Sequence, residues 1–443
     1  MSTQKDLHTC EQNEKNEKTD YDPPEDHFYI NYILFFLIGL VHSLPGTFFT
    51  TATNFWMYKF RNTTIDTTDS EFRTDLQAEF SASVKVVQPI ANLAFQLLTV
   101  YYGRYFKVRQ RKIFILVVTM LLCCLTMIFV KVDTDSWQGG FFAMAMMITG
   151  GLNAMTGIFS VTMYTTCAFF PHGYIGAYIM GEGLAAIFTA MAQLISLAFG
   201  LSSQDSALVY FGIGLFVIIV TLLALLATGN NQFYVYHMNR IHDRTDRIIN
   251  LKDVLHILKK IWSSLVISGC YLIASDSSPT GLVVSEYEGS GPWNGTKNTT
   301  LAKTANFRLL LDLYFIPTIT YLVNSSCSLI GRGIALMYVP KVKNVVWSVL
   351  SVVRMLIFIP VFMLCNAQPR NHLPVLIPHD YQYIVIILVY SVSGGYLLSR
   401  CSYNIANLVT QEELKKAYQV YSLFLGLQMS VYSPIGLLFV QLL

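Results

Sequence analysis

Residues 207–228 read ALVYFGIGLFVIIVTLLALLAT, an apolar stretch without a charged side chain. A run of about 20 such residues matches the hydrocarbon thickness of a lipid bilayer. Similar runs recur along most of the chain. Because these runs lack the alternating pattern of membrane β-strands, we interpret them as helices, which satisfy their own backbone hydrogen bonds in lipid. The pattern therefore predicts an all-α, polytopic membrane protein.

We expect a bundle of eleven transmembrane helices from this length criterion. Their approximate limits are 29–56, 81–103, 113–130, 140–165, 174–200, 207–228, 261–283, 307–330, 344–366, 381–408 and 419–442. The polar loop between the sixth and seventh spans separates six helices from five. The predicted divisions are a polar tail (1–28), a six-helix half (29–228), a loop (229–260) and a five-helix half (261–443). Within that loop, the amphipathic stretch 248–258 is expected to lie along the membrane surface.

The composition agrees with a membrane protein and excludes other classes. Of the 443 residues, 53% are hydrophobic and 13% are charged, with a mean hydropathy of +0.46. A soluble protein carries about 25% charged residues. The net charge of +3 is too small and too dispersed for a nucleic-acid-binding protein. The eight cysteines form no C-x-x-C pair or Cys/His cluster, so we expect no disulfide framework, no metal site and no cofactor.

The orientation in the membrane is predicted from the placement of Lys and Arg. The loops after the second, sixth, eighth and tenth spans are basic, and the alternate loops are poorer in these residues. Because basic loops remain in the cytoplasm, we expect a cytoplasmic N-terminus and an extracellular C-terminus. Glycosylation sequons begin at Asn62, Asn294 and Asn298, all in loops that this topology places outside.

The sequence contains no recognisable enzyme motif. Phosphate-binding, metalloprotease and serine-hydrolase signatures are absent, and the longest loop is too short for a catalytic domain. We therefore predict a transporter or channel, and no enzyme. Ionisable residues inside the spans are the first candidates for its site, because a charge in lipid is costly. They are His42, Glu182, Asp276, Arg332, Arg354 and Arg400.

For the arginines in this group a second interpretation competes with a role in the site, whereas for the glutamate it does not. Arg332, Arg354 and Arg400 lie where their side chains could instead extend to the membrane surface, and this interpretation suits Arg354 best. Glu182 lies well inside its span, between Gly181 and Gly183, and a short carboxylate cannot extend so far. We expect Glu182 to face a polar cavity, with Arg332 or Arg400 as its counter-charge.

The stretch 44–52, LPGTFFTTA, resembles the equilibrative nucleoside transporter family (solute carrier family 29). Further similar blocks follow in the family's order at 171–174, 181–185, 331–332, 354–360 and 393–397. The resemblance implies a major-facilitator-like 6+5 arrangement and a passive carrier that binds its solute between the two halves. With no sorting signal recognised in the tail, the plasma membrane is the expected location, and an intracellular membrane is the alternative.

The resemblance also implies a set of solute-binding residues. They are Gly46, Thr47, Thr50, Ser160, Glu182, Ser325, Ser328, Arg332 and Arg400. Several differ from the family pattern, which has Trp-Asn at Gly46-Thr47, and Asn and Asp at Ser325 and Ser328. Arg400 replaces an aliphatic residue. These departures affect the expected substrate more than the expected fold.

Three functions are compatible with these residues. The first is transport of nucleosides, with nucleobases as related solutes. The second is transport of organic cations, because the monoamine-carrying branch of the same family has a glutamate where Glu182 stands. The third is a transport-inactive receptor or scaffold, which the lost motif residues would fit. In each case the expected partners are the lipid bilayer and a small molecule, with no nucleic acid and no obligate protein partner.

Overall fold

The computed structural model describes residues 24–61, 74–199, 202–242, 251–285, 314–338, 340, 342–368, 370 and 372–443. The predicted glycosylation sites Asn62, Asn294 and Asn298 lie outside the described residues, and so does the side chain of Thr50. The described chain is helical throughout apart from loops and two isolated β-bridges, which pair Val283 with Ala367 and Cys365 with Ile377.

Thirteen α-helices form the described part of the chain. They are α1 (Ile30–Thr51), α2 (Thr53–Lys59), α3 (Asp75–Tyr102), α4 (Val108–Lys131), α5 (Gln138–Cys167), α6 (Gly173–Ala198), α7 (Ser203–Ala227), α8 (Gln232–His242), α9 (Leu251–Ser277), α10 (Asn324–Met337), α11 (Asn344–Leu364), α12 (Asp380–Leu408) and α13 (Leu414–Leu442). A π-helix (Ile316–Val323) runs directly into α10, and Pro317 lies at its start. Short 3-10 turns occupy His27–Tyr29, Gly103–Tyr105, Asp135–Trp137, Thr228–Asn230 and Thr280–Leu282.

Nine helices of the described segments are long and apolar enough to cross a membrane. Their limits are His27–Phe49, Ala82–Tyr105, Val108–Lys131, Asp135–Cys167, Gly173–Ala198, Gln204–Asn230, Lys252–Leu282, Asn344–Leu364 and Asp380–Leu408. The predicted helical membrane class is therefore confirmed. The eighth predicted span overlaps the π-helix and the first half of α10, and the eleventh lies within α13; these helices are outside this group. The count of eleven, the 6+5 division and the orientation stay predictions.

The loop predicted at 229–260 contains more helix than expected. Residues 251–258 of the amphipathic stretch belong to α9, which continues without a break to Ser277, and residues 248–250 lie outside the described residues. The separate short helix is instead α8, which packs Phe233 and His237 against Phe170 with ring centroids 5.9 and 4.9 Å apart. Its apolar face consists of aromatic and histidine side chains, which a hydropathy pattern scarcely registers.

Reciprocal glycine contacts hold α1 against α6. A Cβ atom added to Gly39 would collide with the backbone of Tyr178, and one added to Gly181 would collide with the backbone of Phe36. Only glycine lets two helix backbones approach so closely at both points. The contact fixes the position of α6 along the axis of α1. It thereby fixes the position of Glu182, the residue after Gly181.

A second pair of glycines holds α10 against α12 in the same way. An added Cβ atom on Gly331 would collide with the Val392 carbonyl, and one on Gly395 would collide with the backbone of Ser328. Gly331 directly precedes Arg332. Each glycine crossing therefore adjoins a charged residue of the predicted solute site.

An ion-pair cluster joins the start of α13 to the first turns of α9. Lys260 Nζ lies 2.8 Å from both carboxylate oxygens of Glu413, and Lys416 Nζ lies 2.7 Å from the Asp253 carboxylate. The bonds from Lys260 hold the pKa of Glu413 at about 2. Glu413 is consequently ionised, and the cluster intact, at every physiological pH.

Candidate solute-binding site

The centre of the candidate site is the contact between α6 and α10. A Cβ atom added to Gly183 would touch the side chains of Leu329 and Arg332. Arg332 Nη1 donates a hydrogen bond of 2.9 Å to the Ile179 carbonyl, one turn earlier on α6. The small residue and this hydrogen bond bring the two helices into direct contact, and they place Arg332 beside Glu182.

Glu182 is paired with a histidine of α1. His42 Nδ1 lies 2.7 Å from Glu182 Oε1, and His42 Nε2 lies 3.3 Å from the Thr156 carbonyl on α5. The side chains of His42 and Glu182 are 11% and 19% exposed, so neither charge is solvated as it would be in bulk water. Three helices thus contribute to one buried contact.

Hydrogen-bond chemistry fixes the net charge of this pair. A carbonyl oxygen only accepts hydrogen bonds, so His42 Nε2 carries a hydrogen toward Thr156. The contact between Nδ1 and Oε1 then needs one more hydrogen, which belongs either to the imidazole or to the carboxyl group. The first form is an imidazolium beside a carboxylate, and the second is a neutral imidazole beside a carboxylic acid. Both forms have zero net charge.

The surroundings of the pair supply donors and aromatic rings. The rings of Phe159 and Tyr178 lie 5.9 and 5.7 Å from the His42 ring. The Tyr178 hydroxyl is buried beside Glu182, and Arg332 Nε is buried without a hydrogen-bond partner among the residues that the structure describes. Arg332 is near enough for its positive charge to act on the Glu182 carboxylate. The site therefore combines a neutral pair with one guanidinium group.

The group in direct contact with Glu182 is not one of the expected arginines. We predicted Arg332 or Arg400, whereas the group in contact is His42. Arg332 instead bonds to a backbone carbonyl of α6. His42 lies four residues before Gly46, and residues at this spacing share one face of a helix. His42 was already a candidate as an ionisable residue inside a span, but its pairing with Glu182 was not predicted.

The other residues predicted on α1 and α10 differ in their surroundings and hydrogen bonds. A Cβ atom on Gly46 would meet nothing within 4 Å, so this position borders open space. The Thr47 hydroxyl donates to its own helix and accepts a bond of 3.1 Å from Thr189 on α6. Ser325 and Ser328 are half-buried, and their hydroxyls form no hydrogen bond within the described chain.

Ser160 and Arg400 lie in other parts of the helix contacts. Ser160 Oγ is 3.0 Å from Ser422 Oγ, so this hydroxyl links α5 to α13. Arg400 is only 6% exposed, and its Nε and Nη1 atoms are buried without a partner in the described segments. The structure does not show Ser160 or Arg400 in hydrogen-bond contact with the pair formed by His42 and Glu182.

Three tyrosines extend the contact between α5 and α13 that Ser160 and Ser422 form. They were not identified from the sequence. In this tyrosine junction (Tyr164, Tyr418 and Tyr421), the Tyr164 ring lies 5.8 Å from Tyr418 and 5.6 Å from Tyr421. The Tyr421 hydroxyl is 2.9 Å from Ser402 Oγ on α12. The junction packs the end of α5 against the start of α13.

A histidine completes the contact at the same end of these helices. His172, directly before α6, places Nε2 3.0 Å from the Tyr403 carbonyl of α12. Burial lowers the pKa of His172. The neutral ring therefore donates its Nε2 hydrogen to that carbonyl.

Arg354 does not extend to the membrane surface, and that interpretation is wrong. It lies midway along α11 and is only 7% exposed. Its Nη2 atom donates to the Tyr390 carbonyl at 2.7 Å, and its Nε atom donates to Ser393 Oγ at 3.0 Å. The guanidinium also lies 4.3 Å from the centre of the Tyr390 ring. Arg354 therefore joins α11 to α12.

A helical membrane protein whose packed helices enclose a partly buried charged cluster has the features of a membrane transporter. The sequence profile of the nucleoside transporter family matches residues 144–257 and 297–440, which are more than half of the chain. The chain belongs to this family. The resemblance noted from its motifs is thereby confirmed.

Several curated relatives are similar over nearly the whole chain. Human equilibrative nucleoside transporter 1 is 25% identical and covers 94% of this chain and 98% of its own length. Human equilibrative nucleoside transporter 2 is also 25% identical, with 95% and 99% covered. Rat (Rattus norvegicus) equilibrative nucleoside transporter 3 is 27% identical, with 90% and 86% covered. The predictions of a transporter and of no enzymatic activity are confirmed by this membership.

The search of solved structures gives a weaker similarity. A crystal structure of the major facilitator superfamily transporter FucP in the outward conformation matches with a TM-score of 0.46 and 11% identity. The match covers 91% of this chain and 90% of that one. This score is too low to establish a shared fold.

Proposed function

We propose that the protein is a passive, alternating-access transporter of nucleosides, with nucleobases as related solutes. The observation that carries the proposal is the contact between His42 and Glu182, which leaves the site without an uncompensated negative charge. A neutral solute with hydrogen-bond acceptors suits such a site better than a cation. The names of the relatives, which are equilibrative nucleoside transporters, support the same solute class.

The candidate residues offer what a nucleoside requires. Arg332 Nε is an unpaired donor that suits a ribose or base oxygen. The hydroxyls of Ser325 and Ser328 can both donate and accept. The open space at Gly46 gives room for a ring beside α1. We propose that Thr47, Thr50, Ser160, Glu182 and Arg400 complete the lining of the path.

In this proposal the six-helix and five-helix halves move relative to one another. The contact of Ser160 with Ser422, the tyrosine junction and the link from His172 to Tyr403 all join one half to the other. They would close one end of the path and separate when that end opens. We propose a cytoplasmic N-terminus, a plasma-membrane location and glycosylation at Asn62, Asn294 and Asn298.

Uptake of tritiated uridine into cells that express the protein tests this proposal. Arg332→Ala should lower uptake at least about tenfold at equal surface abundance, because the mutation removes a charged donor from the site. Ser328→Asp, which restores the family's acidic residue beside the arginine, should raise uptake. Normal uridine uptake by Arg332→Ala would contradict the assigned role of Arg332.

The cation function is the second candidate, because Glu182 is an acidic group inside the bundle. It predicts uptake of an aromatic cation by the wild-type protein and loss of that uptake in Glu182→Gln. The nucleoside function predicts no cation uptake by either protein. Cation uptake that disappears in Glu182→Gln would therefore replace the nucleoside assignment.

A further inference from the structure

We infer that His42 is the residue that excludes cations from the site. The inference rests on the proposed function, because it explains why a nucleoside transporter with a buried glutamate would take neutral solutes. His42 provides the group that shares a hydrogen with Glu182 at 2.7 Å. While the two side chains share that hydrogen, the pair has no net negative charge to offer a solute.

The geometry makes His42 a dedicated partner of Glu182. Its second nitrogen is anchored on the Thr156 carbonyl at 3.3 Å, which fixes the ring plane and directs Nδ1 at the carboxylate. The rings of Phe159 and Tyr178 pack against the imidazole from α5 and α6. Three helices therefore hold the ring in the one orientation that satisfies Glu182.

The other charged or titratable groups near Glu182 cannot replace His42. Arg332 acts on the carboxylate through its charge, but its Nη1 hydrogen bond goes to the Ile179 carbonyl. The hydroxyls of Tyr178 and Tyr164 are neutral donors and bring no positive charge. Without His42, Glu182 would lack its direct partner, and the nearby Arg332 would still donate to a backbone carbonyl. A cation could then bind against the free carboxylate.

The test measures uptake of methylphenylpyridinium, a flat aromatic monovalent cation, by full-length protein in intact cells. His42→Gln keeps a hydrogen-bond donor near Glu182 but removes the shared hydrogen and the positive charge. We expect its cation uptake, normalised to surface protein, to rise at least about tenfold above wild type. The double variant His42→Gln with Glu182→Gln should lose that gain, because it no longer has a carboxylate.

Two controls separate charge from a general disturbance of the fold. His42→Lys keeps a positive charge beside Glu182 and should gain no cation uptake. His172→Gln makes the same amide substitution at a histidine outside the pair and should also gain none. If His42→Gln fails to reach the surface, Glu182→Asp serves as the second variant. Its shorter side chain moves the carboxylate away from an intact His42, and we expect the same gain in cation uptake.

The outcomes distinguish this inference from the proposed function. Uridine uptake by wild type with no cation gain in His42→Gln or Glu182→Asp would overturn the role of His42 and leave the nucleoside proposal standing. A cation gain in either variant without uridine uptake by wild type would support the role of His42 and overturn the nucleoside proposal. Equal cation uptake by wild type and His42→Gln would also overturn the role of His42.

Discussion

At the scale of single residues, Arg354 shows how this protein keeps a charge inside the bundle without an acidic partner. Its guanidinium forms no ion pair with a carboxylate of the described chain. It donates instead to the Tyr390 carbonyl and to Ser393 Oγ, and it lies over the Tyr390 ring. Hydrogen bonds to a charged group each contribute about 1.5–3 kcal/mol, and the aromatic ring adds a favourable contact. These contacts make Arg354 structural.

Replacing Arg354 should therefore affect stability. Arg354→Met fills a similar volume but leaves the Tyr390 carbonyl and Ser393 Oγ without their donor. We expect the free energy of unfolding to fall by about 2 kcal/mol or more, measured as a lower melting temperature of the purified protein in detergent. Arg354→Lys, which keeps a charge and a donor, should lie between Arg354→Met and wild type. An unchanged melting temperature for Arg354→Met would show that these bonds are not stabilising.

At the scale of elements, the two glycine crossings position the site. The crossing of α1 with α6 sets the level of Glu182 against His42, and the crossing of α10 with α12 sets the level of Arg332. Because backbone meets backbone at each crossing, a shift of one turn would bring side chains into collision. The two helix pairs are thus expected to move as rigid units during transport, while the contacts between them change.

The link from His172 to Tyr403 gives one of those contacts a dependence on pH. Burial lowers the pKa of His172 in the linked state more than the hydrogen bond to the Tyr403 carbonyl raises it, so the linked state binds a proton less well than the open state. The link is favoured above the ordinary histidine pKa of about 6.5, and it weakens as the pH falls below that value. The ion pair of Lys260 with Glu413 adds no such dependence, because the pKa of Glu413 is about 2.

Spin labels can measure the opening of this link. In a variant with its native cysteines replaced, Gly173→Cys and Asn407→Cys place labels at two exposed positions near His172 and Tyr403. Lowering the pH from about 7.5 to about 5.5 should increase the long-distance population, by at most about tenfold for each pH unit below the ordinary histidine pKa of about 6.5. His172→Gln should abolish the response. If the long-distance population of the labelled protein that retains His172 stays constant with pH, the link from His172 to Tyr403 is not pH-dependent and the prediction is wrong.

At the scale of the whole molecule, sequence patterns predicted the helical membrane class but not its exact contacts. Apolar runs mark helices directly, so most predicted spans have a matching helix. Hydropathy could not show that α8 is helical or that α9 begins as early as Leu251, because aromatic, histidine and charged side chains dominate those stretches. Pairings between distant helices, such as Ser160 with Ser422, depend on three-dimensional packing that no local pattern contains.

The contacts of the candidate site could be predicted only in part, for a similar reason. Glu182 and Arg332 were recognisable because an ionisable residue inside a span is rare. His42 was recognisable for the same reason, but its pairing with Glu182 was not, and the tyrosine junction had no signal at all. Aromatic residues are common in any membrane helix, so Tyr164 and Tyr421 became visible as a contact only when the helices were placed together.

The central claim is that the whole molecule is a passive transporter of neutral nucleosides. Counterflow of tritiated uridine in proteoliposomes that contain only the purified protein tests it most directly. Without any ion gradient, we predict saturable entry that stops when the internal and external concentrations are equal, and that is accelerated by preloaded unlabelled uridine. Arg332→Ala protein serves as the matched control and should give neither effect. Uridine entry no faster than into protein-free liposomes would contradict the claim, and so would accumulation above the external concentration in liposomes that were not preloaded.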